Sequence, residues 1–257
     1  RVRRSAIDFF VTVYRYVSAT VVDVYGDDLP TGVNTLTSIK RPRRLVNGVT
    51  SKTYTVERTF GGTTVFEYLK GMEFDTFSLS ASAGSLVTAS FGMLGREHVS
   101  QNSRAGVTDS VTEAYGSAFN AASNVGRIGE GESGLTVVTD ISLEISNNLR
   151  ERNVLGVVGA SSIGSGEFNV TGSLSVYFED NVLLEKLLNN TQTSLTFGFA
   201  SPTGEMLYFH LPAIKFSEGI PEVSGKNEDV MLNLGFQAFA AAGAGTTLAV
   251  QTMSAAT

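Results

Sequence analysis

Hydrophobic and polar residues alternate with period two along much of the chain. Between Phe168 and Phe178, the residues Phe168, Val170, Leu174, Val176 and Phe178 fall on one face, with Gly172 among them; Asn169, Thr171, Ser173, Ser175 and Tyr177 fall on the other. Ile141, Leu143 and Ile145 oppose Ser142, Glu144 and Ser146 in the same way, and Val230, Leu232, Leu234, Phe236 and Ala238 oppose Asn233 and Gln237. Over 77–83 and 86–93 the polar side carries Ser78, Ser80, Ser82, Thr88 and Ser90. Strands with one apolar and one hydroxyl-rich face belong to antiparallel sheets with one wet side, so the pattern predicts a mainly β protein. One stretch has helical spacing: Val182, Leu183, Leu184, Leu187 and Leu188 form a stripe that Asp180 or Asn181 can cap and Asn189–Asn190 can end. The stripe predicts a helix lying against a sheet. Burying those five side chains is worth on the order of 10 kcal/mol before entropy is subtracted.

Residues 95–134 break the alternation with Gly, Ser, Asn and scattered charges, apart from a short helix expected over 111–119. The expected organisation is a first module over 1–97, a linker or inter-subunit arm over 98–134, and a second module over 135–257. The two modules echo one another. Val11–Tyr16 matches Leu174–Glu179, with Ser18–Tyr25 in the place of the helix. Thr53–Phe60 matches Ser194–Phe199, Thr64–Tyr68 matches Met206–Phe209, and Leu86–Gly95 matches Met231–Ala240. The pattern is that of a diverged duplication. Nothing in the first half matches Leu135–Ile163, and a native segment preceding Arg1 is the expectation that follows.

Composition narrows the chemistry. The 257 residues are 42% hydrophobic, enough for a sizeable core without staples. There is no cysteine and there are only two histidines, His98 and His210, so disulfides and thiolate metal sites are excluded and histidine chemistry nearly so. No apolar run approaches the roughly 20 residues of a membrane helix, and no membrane partner is expected. Charge divides along the chain. Residues 1–50 hold eight Lys/Arg against four Asp/Glu, residues 51–129 six against seven, and residues 130–257 five against fourteen, giving the net −6. Opposite signs at the two ends suit head-to-tail association of copies better than nucleic-acid binding, although ordinary solvated charge gives the same counts.

Candidate sites mostly resolve into structural roles. Gly159–Gly164 has the glycine spacing of a phosphate loop, but Ser165–Gly166 stand where Lys and Ser/Thr are required. Glu179–Asp180 and Glu228–Asp229 fit capping and turn formation better than acid–base work. No convergent nucleophile, base and acid is visible, so a β-sandwich hydrolase is disfavoured; no catalytic residue, metal or cofactor is expected. Arg41-Pro42-Arg43-Arg44 is either a solvated basic loop or a contact by which Arg41, Arg43 and Arg44 meet the acidic second half of a neighbouring copy.

Two runs carry a family resemblance. Asn47–Arg58, followed by Tyr68-Leu69-Lys70-Gly71-Met72 and Phe77-Ser78-Leu79, resembles the central signature of tail tube proteins of long-tailed bacteriophages. So does the order of Leu143, Asn148-Leu149, Arg152, Val154-Leu155-Gly156, Val170–Leu174 and Tyr177–Asp180, closing on Gly225, Asp229–Leu232 and Phe236-Gln237-Ala238. The resemblance implies an antiparallel β-sandwich with a flanking helix, whose inner strands join between subunits into a ring-shaped barrel. It implies stacked rings in a virion tail, assembled in the bacterial host cytoplasm, with tape-measure and tail-end proteins as partners and double-stranded DNA passing through without specific binding during genome ejection. On the alternation, Ser78, Ser80, Thr88, Ser90, Ser142, Glu144, Asn169, Thr171, Ser173 and Ser175 are the candidate lumen residues. About twenty-four strands spaced about 4.7 Å and tilted about 40° close a circle roughly 47 Å across. With two modules per chain, three chains form a ring of sixfold appearance; a ring of six single-module chains is the alternative. Another assembling virion protein, such as a tail-tip, terminator or decoration protein, is the alternative function.

Overall fold

The computed structural model describes residues 43–48, 51–59, 64–103, 119, 121, 128–131, 133–201, 206–223, 225–241, 243 and 245–253. The expected segments at 11–16 and 18–25, Arg41, and the expected helix over 111–119 apart from Phe119 lie outside the described residues. The first half contributes β1 (Arg43–Val46), β2 (Tyr54–Thr59), the 17-residue β3 (Phe66–Ser82), β4 (Thr88–Leu94) and β5 (Glu97–Gln101). Then follow β6 (Gly129–Glu130), β7 (Ser133–Gly134), β8 (Val138–Ser146), β9 (Arg150–Arg152), β10 (Ser162–Gly164) and β11 (Asn169–Tyr177). Helix α1 (Val182–Leu188), β12 (Thr193–Ala200), the 18-residue β13 (Met206–Val223), β14 (Val230–Ala238) and β15 (Ala249–Met253) complete the chain. The protein is mainly β and antiparallel, with the expected strands at β8, β11 and β14.

Thirteen strands form one sheet, in the order β2-β3-β8-β11-β14-β13-β12-β6-β7, with β4 and β5 on β3, β15 on β13 and β1 on β15; β9 and β10 form a separate ribbon. The sheet folds over a single core. Phe77, Leu79, Leu143, Ile145, Leu174, Leu234 and Phe236 from one part meet Leu195, Phe197, Phe209 and Leu211 from the other. Two long strands make the fold-over possible. The first residues of β3 pair with β2 and β5, and the later ones with β4 and β8. Likewise β13 begins between β12 and β15 and ends on β14.

These two arrangements are the same unit. The β2–β3 register shifts between Tyr54 and Val56, and the β12–β13 register between Thr193 and Leu195. The β3–β4 register shifts between Phe74 and Thr76, and the β13–β14 register between Phe216 and Glu218. Met72 and Ile214 stand opposite Tyr54 and Thr193 respectively, so one constant offset carries β3 onto β13 and brings both irregularities into coincidence. A bulge increases local twist and bends its strand, which lets one strand serve both layers. A glycine faces the residue after each bulge, Gly92 opposite Thr76 and Gly235 opposite Glu218. A Cβ on Gly92 would lie 2.2 Å from Thr76 Oγ1, and one on Gly235 would lie 2.9 Å from Glu218 Cγ. The recurrence covers β2–β5 and β12–β15.

The two halves are joined directly. β3 pairs with β8 from Thr76↔Ser146 to Ser82↔Asp140 without a shift. Described residues of the 98–134 interval add to the sheet: β5 lies on β3 and β6 on β12. Phe119 accepts from Val87 N at 3.0 Å and its ring meets Phe199 at 6.3 Å between centroids. The interval thus adds short strands that its composition hid, because two- and five-residue strands show too little alternation to read.

Helix α1 spans the predicted residues, and Asp180 Oδ1 accepts from Val182 N at 3.0 Å. The expected burial of all five apolar side chains is reduced: Leu183 is buried, Leu184 and Leu187 are half-buried, and Val182 and Leu188 are exposed. Seven residues make two turns, and a helix resting on one sheet covers only one side of its stripe. Lys186, on the same helix, donates to both carboxylate oxygens of buried Glu130 at 2.6 Å, which ties α1 to β6.

Leu174 has no exposed surface and lies between Ile141 and Leu234. Leu174→Asp places an unpaired charge there and removes a packed side chain, a loss of roughly 4–5 kcal/mol or more against a usual total of about 5–15. The variant is expected to show no cooperative thermal transition by circular dichroism.

Candidate functional site

Strand alternation in register produces one polar face across six neighbouring strands. Reading across β4, β3, β8, β11, β14 and β13, one row is Thr88, Ser80, Ser142, Ser173, Gly235 and Glu218. The next is Ser90, Ser78, Glu144, Thr171, Gln237 and Lys215. A further row runs through Ser82, Asp140, Ser175, Asn233 and Ile220. Thr76, Ser146 and Asn169 make the row on the far side. All ten candidate lumen residues therefore share this face, on four adjacent strands. Their neighbours in sequence are the core: Phe77, Leu79, Leu143, Ile145, Val170 and Leu174 are buried.

Side-chain hydrogen bonds cross this face from strand to strand. Ser142 Oγ and Ser173 Oγ are 2.7 Å apart, and the Ser173 backbone N–H donates to Ser142 Oγ at 3.0 Å. Gln237 Nε2 donates to Asn169 Oδ1 at 3.4 Å. Cross-strand hydroxyl pairs of this kind stabilise a sheet by about 0.2–1 kcal/mol while leaving the surface uncharged. A shallow depression of ≈ 370 Å³ sits between β3, β8 and β11, with Thr76, Ser78, Glu144, Ser146, Asn169 and Thr171 on its polar side. The rows carry the carboxylates of Asp140, Glu144 and Glu218 against the single ammonium of Lys215. The face is therefore neutral to acidic.

Sequence patterning missed the β13 part of this face. Glu218, Ile220 and Glu222 belong to it, but the bulge at Ser217 shifts the alternation and Gly219 and Pro221 occupy the inward positions. Asn233 and Gln237, opposite the β14 aliphatics, were legible in the pattern. Asp140 precedes the first clean alternation of β8, where the β11 register slips between Ser175 and Val176.

Arg43 and Arg44 lie elsewhere. They stand in β1, opposite Thr252 and Gln251 of β15, so this part of the basic run is a strand and not a loop. The structure does not bring them to the polar face. His98 Nε2 is 3.8 Å from Glu67 Oε1, and His210 Nδ1 is 2.8 Å from Thr196 Oγ1. The first pair joins β5 to the beginning of β3 and the second joins β12 to the first part of β13, away from the hydroxyl rows. The glycine-rich Gly159–Gly164 segment is held by Arg96: Ala160 N donates to Arg96 O at 3.2 Å, and Arg96 Nη2 donates to Ser161 O. Among the described residues no group of three or more His, Cys, Asp or Glu is placed to hold a metal ion. No helix among them is long and apolar enough to cross a membrane.

Comparison with known families gives one match: the model of a family described as phage tail tube protein matches residues 2–238. No individually curated protein matches the chain.

Ser173 and Ser175 point from β11 toward the polar side, so lysines there leave the core untouched. The Ser173→Lys, Ser175→Lys double variant is expected to fold, with each change within about 0.5 kcal/mol and the melting midpoint moving by less than about 4 °C. Calorimetry checks this; loss of the cooperative transition means that the face assignment of β11 is inverted.

Proposed function

The chain belongs to the phage tail tube protein family, and on that premise we propose that it is the repeating subunit of the tube itself, with its polar sheet face turned to the lumen. The observation that carries this is the continuous hydroxyl-rich face, backed on its other side by the core. A wall around a water-filled channel requires such a sheet, wet on one side and packed on the other. DNA in transit must not adhere. Each phosphate neutralised by a fixed cation adds salt-dependent affinity through counterion release, and that affinity would multiply along the length of a tube. Hydroxyls and carboxylates avoid it. The work is mechanical and electrostatic rather than catalytic.

In this reading rings of the subunit stack in the virion tail, after assembly in the host cytoplasm with the tape-measure and tail-end proteins. We take three chains to a ring. The second half supplies four wall strands, β8, β11, β14 and the end of β13, and the repeated β3 and β4 start a second set in the first half. Two sets of four in each of three chains give about twenty-four strands, the number that closes a circle roughly 47 Å across. Six chains with four strands each give the same circumference. The β3–β8 pairing favours three, because it sets the wall of one half beside that of the other within a single chain.

Electron microscopy of the purified protein is expected to show hollow tubes whose rings contain three chains with pseudo-sixfold appearance. Rings of six chains discard the ring number, and a protein that shows no tubes discards the function. In phage carrying Ser173→Lys and Ser175→Lys, tails are expected to form in normal yield while genome ejection slows at low salt and recovers at high salt. Ejection at the parental rate removes these residues from the lumen.

A further inference from the structure

The β9–β10 ribbon stands apart from the large sheet. Its two strands pair with each other and, among the described residues, with no other strand. Its ends meet in a narrow neck. Asn148 has a φ of +48°, its Nδ2 donates to Glu167 O at 2.7 Å, and a Cβ on Gly166 would lie 2.4 Å from Asn148 O. Leu149 N donates to Asp75 Oδ1 at 2.8 Å, which pins the neck to the bulge of β3. Beyond the neck the tip carries Val154, Leu155, Val157 and Val158, all of them exposed.

Between neck and tip, one residue ties the ribbon to the sheet. Ala160 N donates to Arg96 O at 3.2 Å, Arg96 Nε donates to Ala160 O at 3.5 Å, and Arg96 Nη2 donates to Ser161 O. Among the described residues, every hydrogen bond that joins 150–165 to the sheet goes to Arg96. Two glycines make room for this contact. A Cβ on Gly159, where φ is +89°, would lie 2.3 Å from Arg96 O. A Cβ on Gly71, where φ is +62°, would lie 2.9 Å from Arg96 Cδ. The stem of Arg96 therefore crosses β3 at one glycine, and its carbonyl meets the ribbon at the other.

The second copy of the repeated unit lacks both anchors. The offset that carries Thr76 onto Glu218 places Asp75 on Ser217. Counting four residues on from the facing glycines, Gly92 and Gly235, places Arg96 on Phe239. The bulge forms there without a carboxylate or a guanidinium. The side chains of Asp75 and Arg96 are thus not needed to bend the strand, and both bond to the ribbon or its neck.

We propose that the ribbon is a hinged strap, pivoting at Asn148 and Gly166 and latched against β3 by Arg96, which is the positioning residue that decides where Leu155 and Val158 point. Arg96 is exposed, and bonds at a wet surface exchange readily for bonds to water. The latch opens without disturbing the core, because opening moves 149–166 alone. The movement is within one chain and does not rest on the tail tube reading.

The absence of native cysteine allows a direct test. Nitroxide labels on Val158→Cys at the tip and on Ser100→Cys in β5 report the position of the ribbon by pulsed electron paramagnetic resonance. With Arg96 in place, one narrow distance distribution is expected. Arg96→Ala and, from the ribbon side, Gly159→Ala are each expected to shift the opening equilibrium at least about tenfold, seen as a second or broadened distance population. Their melting midpoints are expected to stay within about 4 °C of the labelled parent. If Arg96→Ala fails to fold, Gly159→Ala alone decides. An unchanged distribution in a folded variant overturns the latch, as does a parent distribution already as broad as the variants'. A larger fall of the midpoint in both variants also overturns it, because the ribbon then melts as part of the core.

Discussion

The register of β3 against β8, unbroken from Thr76↔Ser146 to Ser82↔Asp140, is the constraint on which the rest of the fold depends. Side chains alternate with period two, so a slip of one residue would turn Phe77 and Leu79 of β3 outward and Ser78 and Ser80 inward, or do the same to Leu143, Ile145, Ser142 and Glu144 of β8. Each inverted aliphatic would forfeit roughly 1.5–3 kcal/mol, and a buried Glu144 would cost more. Those penalties are a large fraction of the usual total stability of about 5–15 kcal/mol. The register is therefore unambiguous, and it makes one sheet from the two halves of the chain. The polar face and the core are fixed by the same pairing.

A flat sheet could not close over its own core. The bulges beside Phe74 and Phe216 solve this by turning β3 and β13 from one layer into the other. Gly92 and Gly235 accommodate the side chains that each bulge brings close, and any larger residue would push against Thr76 or Glu218. Phe74 and Phe216 are both buried at the turn, so the bend is anchored by packing. The same device occurs at equivalent positions in both halves of the chain, although most of the side chains around it differ.

In the proposed reading the polar face is a wall built to be ignored by what passes it. Hydroxyls that bond one another, as Ser142 and Ser173 do, present neither a cation to a phosphate nor an apolar patch to a base. Acidic groups at Asp140, Glu144 and Glu218 outnumber Lys215 on the same rows. In that reading the excess of carboxylates in residues 130–257 serves to keep the face free of phosphate-binding charge.

Period and composition determine much of this protein without coordinates. The strands β8, β11 and β14, their two faces, the helix over 182–188 and the lumen candidates follow from alternation, because a half-buried strand must repeat every second residue. The order of short motifs carries the family. Tertiary structure decides what alternation cannot express. Bulges interrupt the period, so the length of β3 and β13 and the place of Glu218 and Glu222 on the polar face were hidden behind Asp75, Ser217 and Pro221. Short strands such as β5 and β6 have no period to detect. The burial of α1 depended on how much of its stripe one sheet can cover. Which strand lies beside which, above all β3 beside β8, is a long-range pairing, and no local pattern encodes the partner of an edge.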